Sequence, residues 1–382
     1  MLEGVRILDL SMNLPGPYCT MLLCDMGADV IKIEEPRIGD QARVLNDPFF
    51  HQLNRGKRSV KLNLKNPHGR DIFLRLAKHS DVVLESFRPG VVKRLGVDYE
   101  AVKRVNGRII YCSISGFGQG GPMRDVPCHD LNIISMTGIQ HMTGVKGGPP
   151  VMPSVLIADT ATGTLAALAI VSALWQRVVK NKGQYLDISM YDSCFSWQHI
   201  HASFLLSGFE YGAGEGMLSG AAPSYNLYQT ADGRYISIGA VEPHFWAGIC
   251  RMLNKEHLID KQFACGEEAE KAKEELRQLF ITKTADQWMD ILAPSGLCVA
   301  PVLSLRESLD HPQARHRNVI VSTASNGTAL SQLNCPVRGP GLEEPAAAKG
   351  PALGGHNAEV LKEIGLSAEE INNLEAGGAF SS

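Results

Sequence analysis

No two of the nine cysteines stand at CxxC spacing, and their number is odd. That argues against a structural zinc site and against a disulfide framework, so a reducing compartment is expected. No charge of one sign dominates, since 37 basic and 40 acidic residues leave a net charge of -3. Without a basic footprint no nucleic-acid partner is expected, although a small anion needs only a local cluster of cations. The best apolar run, residues 165–175, is too short for a bilayer, and no membrane partner is expected. The start, MLEGVRILDL, lacks a basic region followed by a long apolar one. The closing Ala379-Phe380-Ser381-Ser382 is not a peroxisomal tripeptide. A cytoplasmic location is expected, with mitochondria and peroxisomes left open. No HExxH-like spacing occurs, and His199 and His201 stand two apart, which shares a face only on a strand. No metal is expected.

The chain is long for one core, at 382 residues, and two domains are expected. Residues 5–10 form an apolar run of strand length. The turn Asn13-Leu14-Pro15-Gly16-Pro17 follows, then helical spacing over 18–26, then a second strand at 29–34 that Pro36 stops. Residues 65–79 read as helix, and 81–85 and 108–114 as strands. This predicts an open, Rossmann-like α/β domain with a parallel sheet. Its ligand should lie beyond the strand ends, after Leu10, Glu34, Glu85 and Ile114. Residues 160–179 form a long helix rich in Ala and Leu. The expected division is a large domain over 1–200, a linker over 201–224, a smaller α+β domain over 225–320, and a linker with a C-terminal return to the large domain over 321–382.

A dinucleotide fingerprint is missing from the first turn, where Pro15 and Pro17 remove N–H groups that would cradle phosphate. Cations gather elsewhere. Arg55, Lys57 and Arg58 surround Gly56, Phe87 and Arg88 follow a strand, and Arg37 follows another. An aromatic beside guanidinium groups suits a nucleotide carrying extra phosphate. Taken singly, each is also an ordinary solvated loop residue.

Several stretches, in order, resemble one superfamily: GVRILDLSMNLPGPYCTMLLCDMGADVIKIEEP, NRGKRSVKLNLK, VLESFRPGVVKRLG, SGFGQGGP, KGQYLDISMYD and TADGRYISIGAVEPHFW. This is the class III CoA-transferase and α-methylacyl-CoA racemase superfamily. The resemblance covers most of the chain. It implies coenzyme A thioesters as substrates, with no separate cofactor. It also implies an interlocked homodimer, with each active site between the large domain of one chain and the small domain of its partner. It extends the expected ligand contacts to Asn13, Leu14 and Asp130, beside Arg37, Arg55, Lys57, Arg58, Phe87 and Arg88.

The two chemistries of the superfamily part at Cys128-His129-Asp130. The racemase pattern has His before the Asp, where transferases typically have Tyr. Asp159 matches the transferases' nucleophile, and Glu242 in GAVEP matches a racemase glutamate. His129, Asp159 and Glu242 therefore fill all three acid–base positions of the racemase pattern. Inverting a carbon next to a thioester needs a base on each face, in opposite protonation states. Neutral His129, its tautomer held by Glu242, would serve one face, and protonated Asp159 the other. Asp titrates near ~4 and His near ~6.5 in water, so Asp159 must be raised by burial. Donors for the enolate oxygen are expected among backbone N–H groups near Asp130 or at the start of the helix that follows Asp159.

Bland readings exist for each residue. His129 serves as well as a core or capping residue, Asp159 as the N-cap of the following helix, and Glu242 as a helix-start carboxylate. Met190 and Met217 fit either a core or an adaptable acyl surface. The chain departs from the racemase pattern at Asp159-Thr160-Ala161-Thr162-Gly163, at Ile133 and at Glu35-Pro36, which bears on pocket shape and substrate choice. The sequence reading is a racemase of 2-methyl-branched or 2-aryl acyl-CoA thioesters. A CoA-transferase working through an acyl-Asp159 anhydride and a non-catalytic acyl-CoA-binding protein are the alternatives.

Overall fold

Six strands make one wholly parallel sheet: β1 (Arg6–Asp9), β2 (Asp29–Glu34), β3 (Arg58–Lys61), β4 (Val82–Glu85), β5 (Ile110–Ser115) and β6 (Gln184–Ser189). Their order is β3-β2-β1-β4-β5-β6. The computed structural model describes residues 1–325, 328–339 and 345–381. Part of the expected C-terminal linker, 340–344, lies outside the described residues.

Both faces of the sheet are covered, which is why its central strands are apolar runs rather than alternating ones. Leu8, Ile31, Val60, Val83 and Tyr111 point into one core, against Phe73, Leu76 and the C-terminal Val360 and Leu361. Their neighbours Ile7, Val30, Val82, Leu84 and Ile110 point into the other, against Leu22, Leu23, Ala166 and Ile170. The open edge of β3 is blunted by the C-terminal segment. His356 N–H donates to the Ser59 carbonyl at 3.0 Å, and Asn357 Oδ1 accepts from Lys61 N–H at 2.8 Å.

The Ile157–Lys180 helix packs on the Pro15–Asp25 helix through Gly163. A Cβ at that position would stand 2.6 Å from the Pro15 carbonyl oxygen. Gly163→Ala is therefore expected to lower stability by about 1–3 kcal/mol, as overpacking does. Thermal unfolding checks this, and an unchanged Tm contradicts it. By length and composition this helix could cross a membrane, contrary to the sequence expectation that no window is long enough. Half of its most apolar window is buried within the protein.

The chain divides into two compact units. The larger comprises Met1–Thr137, Ser154–Gln198 and Pro312–Ser382, and the smaller Gly138–Pro153 and His199–His311. The smaller unit thus takes in Gly138–Pro153 and 199–224 beyond the expected start at 225. It carries an antiparallel sheet of β7 (Tyr225–Gln229), β8 (Tyr235–Gly239) and β9 (Val299–Pro301). Its core sets Tyr228, Trp246, Phe280 and Trp288 among aliphatic side chains. Tyr228 stacks on Phe280 at 5.2 Å, and Trp246 Nε1 donates to the Leu258 carbonyl at 2.9 Å.

Candidate active site

The strand order reverses between β1 and β4, so the crevice beyond their carboxyl ends is where a ligand is expected. A cavity of about 590 Å³ lies there. Ile33, Leu62, Leu64, Phe87, Val91 and Leu95 give it apolar walls, with Arg37 and Lys65 among its lining. Lys65 was missed in the sequence, where it reads as the first residue of the 65–79 helix; the helix in fact starts at Pro67 and leaves Lys65 in the loop.

The cations around Gly56 are turned to other uses. Arg55 is 1% exposed and grips Asp25 through Nε at 3.1 Å and Nη2 at 2.6 Å. Lys57 is buried, its ammonium at 3.1 Å from Asp9, 2.7 Å from Thr20 Oγ1 and 2.9 Å from Asn54 Oδ1. Arg58 pairs with Asp29, Glu359 and Glu363. These three neutralise carboxylates inside or beside the sheet, and their donors are occupied. Burial alone would push Asp9 up, but Lys32, Lys57 and two hydroxyls hold it well below the usual carboxylate range.

The same network shapes the turn after β1. Lys32 Nζ lies 2.9 Å from the Ser11 carbonyl and 2.8 Å from Asp40. Asp40 Oδ1 accepts from Asn13 N–H at 3.0 Å. Asn13 is thereby held at φ 64°, a left-handed conformation uncommon outside glycine. Leu14 is buried behind it at the start of the Pro15–Asp25 helix.

The crossover between β5 and β6 carries His129 and Asp159. Cys128 leans on the end of β5, where a Cβ on Gly116 would stand 2.1 Å from its sulfur. His129 is exposed and opens the short Asp130–Met136 helix, its backbone N–H donating to Asn132 Oδ1 at 3.0 Å. Asp130 is buried and reaches to the start of the Ile157–Lys180 helix. Its Oδ1 accepts from Ala158 N–H at 2.6 Å and from Asp159 N–H at 3.2 Å. Asp130 therefore supplies the cap that the alternative reading gave to Asp159. Asp159 instead lies inside the first turn, half-buried. Because Asp130 takes both of these N–H groups, they are not free to serve an enolate oxygen.

This arrangement sets the protonation of Asp159. Burial first, and then the charge of Asp130, push its carboxyl up to about 7. Cys128 lies in the same field: burial and Asp159 raise its thiol, and Arg88 lowers it. So Arg88, Cys128, Asp130 and Asp159 share one neighbourhood, with His129 bonded between two of them. Folding favours the neutral form of Asp159, whose unfolded value is near ~4. Its stabilising contribution is complete below that value and is lost as pH rises through about 7. Asp159→Asn is thus expected to raise Tm relative to wild type, least at pH 4 and most at pH 8. A difference that does not grow with pH contradicts the assignment.

Glu242 lies in the smaller unit, exposed, as the N-cap residue of the Pro243–Met252 helix, without a side-chain cap. Met217 also belongs there and is 40% exposed, whereas Met190 is buried in the larger unit. His201 Nδ1 meets the Tyr211 hydroxyl at 2.8 Å.

The chain matches the model of CoA-transferase family III over residues 2–357. It is 35% identical to the human α-methylacyl-CoA racemase, over 98% of this chain and 96% of that protein. It is 34% identical to the succinyl-CoA:glutarate CoA-transferase of Mus musculus, over 95% of this chain and 86% of that protein. A solved CaiB/BaiF family protein from Brucella suis superposes with a TM-score of 0.81 at 29% identity, covering 95% of this chain and 98% of that one.

Proposed function

The chain belongs to CoA-transferase family III, and we propose that it inverts the α-carbon of 2-methyl-branched or 2-aryl acyl-CoA thioesters. The observation that carries this reading is a carboxyl raised to about 7, at Asp159, beside the turn that presents His129. Inversion needs one base that starts neutral and one acid that starts protonated near neutral pH. Neutral His129 takes the α-proton from one face. The C–H electron pair moves into the Cα–C bond, and the thioester carbonyl becomes an enolate. Protonated Asp159 returns a proton to the opposite face. The imidazolium and carboxylate that remain are the starting state for the reverse direction.

In this proposal the cavity beyond β1 and β4 receives the nucleotide end of the substrate. Phe87 and the leucines flank the base, Arg37 and Lys65 of the cavity lining answer the phosphates, and Arg88, next in the chain after Phe87, adds to them. Glu242 would orient the His129 imidazole, contributed within an interlocked homodimer. Leu168, Val171, Trp175 and Val178 support a partner, since they leave one stripe of the long helix exposed, Trp175 by 72%. Sedimentation showing a stable monomer at micromolar concentration would count against this part of the proposal.

A second reading is favoured by the transferase relatives, which match at nearly the same identity. There Asp159, as carboxylate, attacks the thioester carbonyl and releases the CoA thiolate, leaving an acyl anhydride. Hydroxylamine separates the two. Incubated with enzyme and acyl-CoA, it should trap no acyl group from Asp159 in a racemase. Release of acyl hydroxamate with stoichiometric free CoA would replace the racemase reading with the transferase.

A further inference from the structure

The buried carboxylates of β1, of β2 and of the loop after β2 each have a cation. Asp9 has Lys57 at 3.1 Å, Glu34 has Arg43 at 2.7 Å, and Asp40 has Lys32 at 2.8 Å. Glu85 does not. It ends β4 at the point where the strand order reverses, and it is 1% exposed. Its Oε2 accepts from Phe87 N–H at 2.8 Å. The Ser113 hydroxyl of β5 is its other hydrogen-bond partner. The titratable groups facing it are Tyr111 and Cys112 on β5 and Tyr185 and Asp187 on β6, and none is a cation. A buried carboxylate without a counter-charge is costly and calls for a reason.

The reason lies in what Glu85 holds. The N–H it binds belongs to Phe87, whose ring lines the cavity, and Arg88 comes next. We propose that Glu85 is a positioning residue whose protonation state sets how tightly the Phe87–Arg88 turn receives the nucleotide end of the thioester. This rests on the reading that the cavity takes coenzyme A. Burial above all, with the Asp187 charge adding to it, brings the Glu85 carboxyl to about 7, so both forms are present near neutral pH. Either form leaves an oxygen to accept from Phe87 N–H. The ionised form adds an uncompensated negative charge beneath a turn that must receive a polyanion. Binding of coenzyme A therefore favours the neutral form and takes up a proton.

The test is calorimetric titration of wild type and Glu85→Gln with free coenzyme A, from pH 6 to pH 8.5. Glutamine keeps an oxygen for Phe87 N–H and cannot ionise. Titration of the ligand's own phosphate is common to both proteins, so the ratio of wild-type to variant Kd isolates Glu85. That ratio should be near unity at pH 6 and rise roughly 3- to 10-fold by pH 8.5, as a pKa displacement of half to one unit requires. A wild-type proton uptake that the variant lacks should accompany it. A ratio that is flat across the range overturns the inference, because a merely structural role weakens binding equally at every pH. Ser113→Ala gives an independent arm. The Ser113 hydroxyl pulls the Glu85 carboxyl down, so its loss should move the midpoint of the pH dependence upward, and an unmoved midpoint overturns the inference. No binding of coenzyme A by the wild type overturns the underlying reading and the inference with it.

Discussion

Asp159→Asn is expected to lower turnover of a 2-methylacyl-CoA by about 10³-fold or more, with KM nearly unchanged. Asparagine has almost the same shape. The contact between Asp130 and the helix start survives, because Asp130 binds the backbone N–H of residue 159 and not its side chain. What is lost is the exchangeable proton. A positioned acid or base contributes about 10²- to 10⁴-fold, and inversion requires one on each face. Steady-state kinetics with separation of the two epimers supplies the measurement. A loss within about threefold would reduce Asp159 to an ordinary carboxylate in a helix's first turn, worth only the modest interaction of a charge with the helix dipole.

His129→Asn is expected to abolish exchange of the α-proton by about 10²- to 10⁴-fold while coenzyme A still binds. The side chain of His129 is exposed, so its removal should leave Tm within about 1 °C of wild type, as surface substitutions do. Exchange followed by mass spectrometry, with Kd for coenzyme A measured in parallel, separates chemistry from binding. This substitution also divides the family's two chemistries. A transferase built on Asp159 alone would keep most of its activity. Wild-type exchange rates in His129→Asn would remove the imidazole from the mechanism.

The sheet was legible where burial on both faces wrote continuous apolar runs, as at Val82–Glu85 and Ile110–Ser115. The strands Arg58–Lys61 and Gln184–Ser189 were not. The first is flanked by charges whose partners come from the C-terminal segment, and the second is a largely exposed edge strand. The positions of His129, Asp159 and Glu242 were carried by motif resemblance rather than by local pattern. What the sequence could not convey was pairing at a distance. Arg55, Lys57 and Arg58 read as a phosphate cluster because Asp25, Asp9 and Glu363 lie far from them in the chain. For the same reason Asp159 passed for an N-cap, when the capping carboxylate, Asp130, stands 29 residues earlier. The absence of a cation at Glu85 among the described residues is equally invisible, since it is a property of three neighbouring strands.

The central claim is proton transfer at the α-carbon by two residues. A single-enantiomer 2-methylacyl-CoA incubated with the enzyme in D2O tests it most directly. Deuterium should enter the α-carbon as chirality is lost, and both should vanish in His129→Asn and in Asp159→Asn. No deuterium at the α-carbon, with coenzyme A passing instead to an added carboxylic acid and only Asp159 required, would contradict it.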